Sequence, residues 1–183
     1  MRKTVLTFGL IAGGILSVMM LATMPFMDKI GFDRGEVIGY TTMVLAFLLI
    51  YFGVRSYRDN VAGGSVSFGR AFAVGALIAF VASACYVATW ELIYHKIAPD
   101  FVAKYQAHVI EEARASGVSQ AEIERRTADM QRFAAMYRNP LLNAAITFIE
   151  PLPVGLVFAL VSAGILSRRR RERGRAEGMA AAM

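Results

Sequence analysis

The chain is poor in the residues that make catalytic chemistry. It has two histidines, His95 and His108, and one cysteine, Cys85, in 183 residues. A lone cysteine excludes an intramolecular disulfide and leaves a thiolate metal site without a second ligand. Neither histidine has a partnered serine, and G-x-S-x-G, H-E-x-x-H, S-x-x-K, the kinase set and the Walker sequence G-x-x-x-x-G-K-[ST] are all absent. The expectation is no enzyme and no cofactor. His108 with Glu111 and Glu112 has the i, i+3 and i+4 spacing that can hold a metal, but no further His or Cys cluster completes the shell. A solvated helix face, with no metal, explains the three.

Charge is scarce as well, and unevenly placed. Charged residues make up 19% and hydrophobic ones 56%, with a mean hydropathy of +0.48, too apolar for an ordinary soluble domain of this length. The formal charge of +6 raises the question of nucleic acid. Its densest cluster, Arg168, Arg169, Arg170 and Arg171 with Arg173 and Arg175, directly follows the last apolar run. That is the place of a stop-transfer anchor, and no basic face interleaved with aromatics exists to read nucleic acid.

What is there is apolar sequence in four windows. Val5 to Phe26, Val37 to Val54, Ala71 to Tyr94 and Leu141 to Leu166 are each at or near the ~20 residues a bilayer-spanning helix requires. Small residues recur along them at helical spacing: Gly9, Gly13 and Ser17 in the first, Gly75, Ala79 and Ser83 in the third, Gly155, Ala159 and Ala163 in the fourth. Such stripes let backbones approach closely, and packing within the chain is a sufficient use for them, with a homo-oligomer or membrane-protein partner as the other. Trp90 and Tyr94 read as part of an interfacial aromatic belt.

Residues 98–139 form the one sizeable polar segment, patterned as two amphipathic helices. The first opens near Pro99 and presents Val102, Tyr105, Val109 and Ala113; the second opens with a capping box, Ser119 and Glu122, and presents Ile123, Met130, Phe133, Ala134 and Tyr137. Asn139 and Pro140 then start the fourth span as cap and first helical residue.

Between the second and third spans, Arg55, Arg58 and Arg70 stand against Asp59 around the turn signal Gly63-Gly64, with Ser67 placed to cap the third span. These arginines and the tail arginines read as topogenic charge with attraction for anionic lipid. They set both termini and this elbow in the cytoplasm, and residues 98–139 outside. The near-balanced first loop, Asp28 to Glu36, falls on the same outer side. Met1-Arg2-Lys3 with its long apolar run reads as an uncleaved first span.

The elbow sequence Tyr-Phe-Gly-Val-Arg-Ser-Tyr-Arg-Asp from Tyr51, with Gly63-Gly64, Ser67-Phe68-Gly69 and Gly75, resembles domain-of-unknown-function family 4199, small bacterial multi-pass proteins. Glu150-Pro151-Leu152-Pro153-Val154-Gly155 in the last span is the second match, leading to Ser162-Ala163 and the basic tail. The resemblance covers essentially the whole chain and implies topology, in the bacterial inner membrane, and no chemistry.

One residue type is out of place. Glu150 sits off-centre within an apolar span, and an acid at the helix centre costs about 2.5 to 3.5 kcal/mol. Pro151 and Pro153 follow it, and neither can donate to the carbonyls of Thr147 and Ile149 one turn back. A broken helix beside a buried acid is how many transporters build an ion site. Glu91 and His95, one turn apart near the outer end of the third span, are candidates to join it. The sequence thus gives an all-α, four-helix transmembrane bundle in one domain, 1–183, with an outer helical hairpin at 98–139 and a basic tail from 167. The first function it points to is a non-enzymatic structural or interaction component; the alternative is a small proton- or cation-coupled carrier or channel subunit using Glu150 and the fourth span broken by Pro151 and Pro153.

Overall fold

The computed structural model describes the backbone of residues 1–180 and the side chains of residues 1–167. Arg168, Arg169, Arg170 and Arg171 therefore lie outside the described side chains. The order is α1 (Arg2–Thr23), a 3-10 turn and the short α2 (Met27–Ile30), α3 (Phe32–Asn60), α4 (Phe68–Leu92), a π turn, α5 (Phe101–Ala115), α6 (Gln120–Tyr137), α7 (Pro140–Ile149) and α8 (Pro151–Ala180), with no strand among the described residues. Four stretches, Arg2–Ile30, Phe32–Asn60, Phe68–Ile97 and Pro140–Ser167, are long and apolar enough to cross a membrane. Their outward faces are apolar too: Leu10, Val18, Leu45 and Val161 are each more than half exposed. A soluble monomer rarely shows so much apolar surface, so lipid is its solvent and the protein is a multi-pass membrane protein.

The bundle is held by α4, which packs on α1, α3 and α8. Phe47, Ile50, Ile78 and Ala82 are fully buried where these helices meet. The small-residue stripes are the contact lines. A Cβ added at Gly9 would fall 2.7 Å from Val81 Cβ, and one at Gly13 would fall 2.6 Å from Cys85 Cβ. One turn further, Thr89 donates to the Ser17 hydroxyl at 2.8 Å. On the other side of α4, Gly75 abuts Ala159 and Ala79 abuts Gly155, while Ser83 and Ala163 are fully buried. Helices this close gain dispersion contact that larger side chains would forbid.

Two connections differ from the sequence expectation. Between α1 and α3 there is helix up to Ile30, then a reversal at Gly31, whose φ of 80° suits glycine. Asp28 and Glu36 are consequently on helices instead of in a loop. At the elbow, Gly63 and Gly64 both have positive φ, and the Gly64 N–H returns to the Arg58 carbonyl at 2.9 Å, closing α3 as a C-terminal cap. Ser67 occupies the cap position of α4, but its hydroxyl makes no capping bond. The Ser119 and Asn139 side chains do cap, accepting from Glu122 N–H and from the Leu141 and Leu142 N–H groups.

The candidate site, an acidic cavity under the helical hairpin

Helices α5 and α6 pack on each other as a hairpin and close over one end of the bundle. Phe32, the first residue of α3, anchors α5: its ring meets Phe101, Tyr105 and His108 with centroids 5.6, 5.5 and 5.1 Å away. Two polar contacts cross the same seam, an ion pair of Lys104 with Asp28 at 3.2 Å and a hydrogen bond between His108 Nε2 and Asp33 at 3.1 Å. His108 thus faces α3 instead of Glu111 and Glu112, and no three His, Cys, Asp or Glu side chains converge among the described residues.

Under the hairpin lies a cavity of 610 Å³. Its apolar wall is aromatic and methionine-rich, with Met20, Met24, Trp90, Phe101 and Phe133 among the lining residues. Its ionisable wall is one-sided. Asp33, Glu36, Glu112 and Glu150 line it with His108, and no lysine or arginine among the described residues does. Two hairpin tyrosines register that field. The Tyr105 hydroxyl is pushed above its ordinary value by burial and then by the Glu36 and Glu112 carboxylates. Tyr137 is pushed up by burial, opposed by a hydrogen bond with Thr147, and further raised by Glu150 and Glu91.

Glu150 lies ten residues into the last span, about 15 Å along the helix. The fourth apolar stretch, Pro140–Ser167, is 28 residues long, so Glu150 lies about a third of the way along it. The helix is interrupted there without unwinding: Glu150 keeps φ −64° and ψ −58°, between the end of α7 and the start of α8 at Pro151. Beyond the interruption α8 packs on α3 and α4, whereas α7 packs on α4 and α6. The change of partner opens the cavity. The Tyr86 hydroxyl of α4 donates to Glu150 at 3.0 Å.

Above Glu150 on the same helix face stand Thr147 and Asn143, both buried. Asn143 Oδ1 accepts from Trp90 Nε1 at 3.1 Å and from the Thr147 hydroxyl at 3.2 Å. An indole N–H only donates, so the amide oxygen must face it, and Asn143 Nδ2 is left buried without a partner. Trp90 is 7% exposed and bonded, so it belongs to the cavity wall and not to a lipid-facing belt. Sequence reading missed this group. The available signal was the spacing of Asn143, Thr147 and Glu150, a polar file at i, i+4 and i+7 in an otherwise apolar helix, facing Tyr86 and Trp90 at i and i+4 on α4.

The other candidates sit elsewhere. Glu91 pairs with His95 at 3.2 Å, and its second oxygen is buried without a partner, but neither residue lines the cavity that holds Glu150. At the elbow, Arg55 and Arg70 are exposed, while Arg58 is 6% exposed with its Nε on Asp59 at 2.6 Å. Arg58 is thus a packed residue, unlike the two arginines beside it. Residues 7–168 match the family model described as "Protein of unknown function (DUF4199)". No curated protein and no solved structure matches the chain.

Proposed function

The chain belongs to the DUF4199 family, and we propose that this protein is a small, non-enzymatic proton- or cation-coupled carrier or channel subunit whose exchanging group is Glu150. In this reading it lies in the bacterial inner membrane, with the elbow and both termini cytoplasmic and the hairpin outside. The observation that carries it is a cavity that reaches from the hairpin to a carboxylate ten residues into an apolar span. An acid at such depth is costly, and a water-reachable wall with a Tyr86 donor is the arrangement that makes it tolerable and exchangeable. Scaffolding through the small-residue stripes has less room, because the chain's own helices fill them.

Purified protein in liposomes with an entrapped pH dye tests this. Under an imposed proton gradient and a potassium-clamped potential, the native chain dissipates the gradient faster than Glu150→Gln. Equal rates for the two, both at the rate of empty liposomes, would withdraw the proposal.

A further inference from the structure

We infer that the cavity binds an amphipathic organic cation, an ammonium or phosphonium group carried on an apolar body. The inference rests on the proposed carrier's cavity admitting solutes from the hairpin side, and it names the chemistry of the solute it binds. Three independent features agree. The volume of 610 Å³ falls within the ~300–1,000 Å³ range of small-molecule sites. The ionisable wall is mostly acidic although the protein carries a net +6: four carboxyl groups and one histidine line it, and no lysine or arginine among the described residues does. Aromatic side chains line the same cavity, Trp90, Phe101, Tyr105 and Tyr137 among them, and rings of this kind attract desolvated cations. The methionines Met19, Met20, Met24 and Met27 add a polarisable, adaptable apolar surface for the ligand's body. An anion would meet a wall of four carboxyl groups and one histidine here, and a small inorganic cation would leave the aromatic and methionine wall without a use.

The same headgroup chemistry comes from two sources, a free hydrophobic amine or the ethanolamine head of a phospholipid. Both present an ammonium group, borne directly on the apolar body in the amine and joined to it through a phosphate in the lipid.

The protein carries its own reporter, because Trp90 is its single tryptophan and lines the cavity. Full-length protein in phosphatidylglycerol nanodiscs is titrated with tetraphenylphosphonium, with tetraphenylborate and with neutral triphenylphosphine oxide while Trp90 emission is followed. Saturable change is expected with the cation, none with the anion, and binding of the neutral compound weaker by about tenfold or more. Glu36→Gln combined with Glu112→Gln weakens the cation by a similar factor and leaves the neutral compound unaffected. The inference is overturned if the cation gives no saturable change, or if neutral and cationic compounds bind alike. Repeating the titration with phosphatidylethanolamine in the disc assigns the source. Competition identifies the lipid head, and its absence identifies a free amine; either supports the class of ligand. Proton flux through Glu150 without cation binding would overturn this inference and leave the proposed function intact, whereas cation binding without flux would do the reverse.

Discussion

Gly13 and Gly14 are neighbours in sequence and opposites in packing. A methyl group at Gly13 would lie 2.6 Å from Cys85 Cβ, whereas at Gly14 nothing lies within 4 Å. Gly13→Ala is therefore expected to destabilise the fold by about 1 to 3 kcal/mol through overpacking. Gly14→Ala should be neutral, or stabilising by up to about 1 kcal/mol through helix propensity. Thermal unfolding of the two variants in detergent checks this, and equal effects would mean that α1 does not approach α4 as described. The same scale shows why the site was only partly legible. Glu150 stands out in the sequence because a lone acid in an apolar run is expensive wherever it packs. Tyr86 and Trp90 do not stand out, since a tyrosine or tryptophan in a span suits lipid, interface and interior alike. Their partners lie 64 and 53 residues away, and only the packing of α4 on α7 brings them together.

Elements were more legible than sites because their signals are local. Each span announced itself by length and apolarity, and Ser119 and Asn139 by their place before a helical pattern. Ser67 has the right residue type at the right position, yet its hydroxyl caps nothing. Cap chemistry is a choice among rotamers that sequence does not determine. The loop expected between α1 and α3 became a single glycine reversal, because charge there marked the membrane surface and not the end of helix. In the hairpin, Glu122 was read for its capping-box position, but its carboxylate turns forward to Arg125 and Arg126 at 2.7 and 3.0 Å. Hydrogen bonds from Arg125 and then Arg126 pull its carboxyl down to about 2. A depressed carboxyl adds stability that is fully present above its ordinary value of 4.5 and lost as pH falls toward about 2. A carbon-detected NMR titration of the Glu122 carboxyl should thus show a midpoint near 2. Arg125→Gln with Arg126→Gln should move that midpoint back toward 4.5. A native midpoint already at the ordinary value would remove the pairing.

At the scale of the whole molecule, the chain separates two tasks along its axis. The half nearest the elbow is a tight bundle locked by Gly75 against Ala159 and Gly155 against Ala79. The half nearest the hairpin is where α7 leaves α3, the cavity opens and the acids gather. Tight packing below a cavity is the order expected if ligands enter from the hairpin side and Glu150 is the deepest group they reach. The threading proposed for this arrangement is checked by fusions. A phosphatase reporter joined after Gly117 should be active outside, and a fluorescent protein joined after Met183 should mature inside. The opposite pattern would invert the proposed entry side.

The central claim is that water and solutes reach the polar face of α7 from the hairpin side while its other face meets lipid. Ile146 lines the cavity, whereas Ile149 is 65% exposed and outside it. In a Cys85→Ala background, a membrane-impermeant thiol reagent added from the hairpin side should label Ile146→Cys and spare Ile149→Cys. Labelling of both alike, or of Ile149→Cys alone, would contradict a water-reachable cavity ending at Glu150.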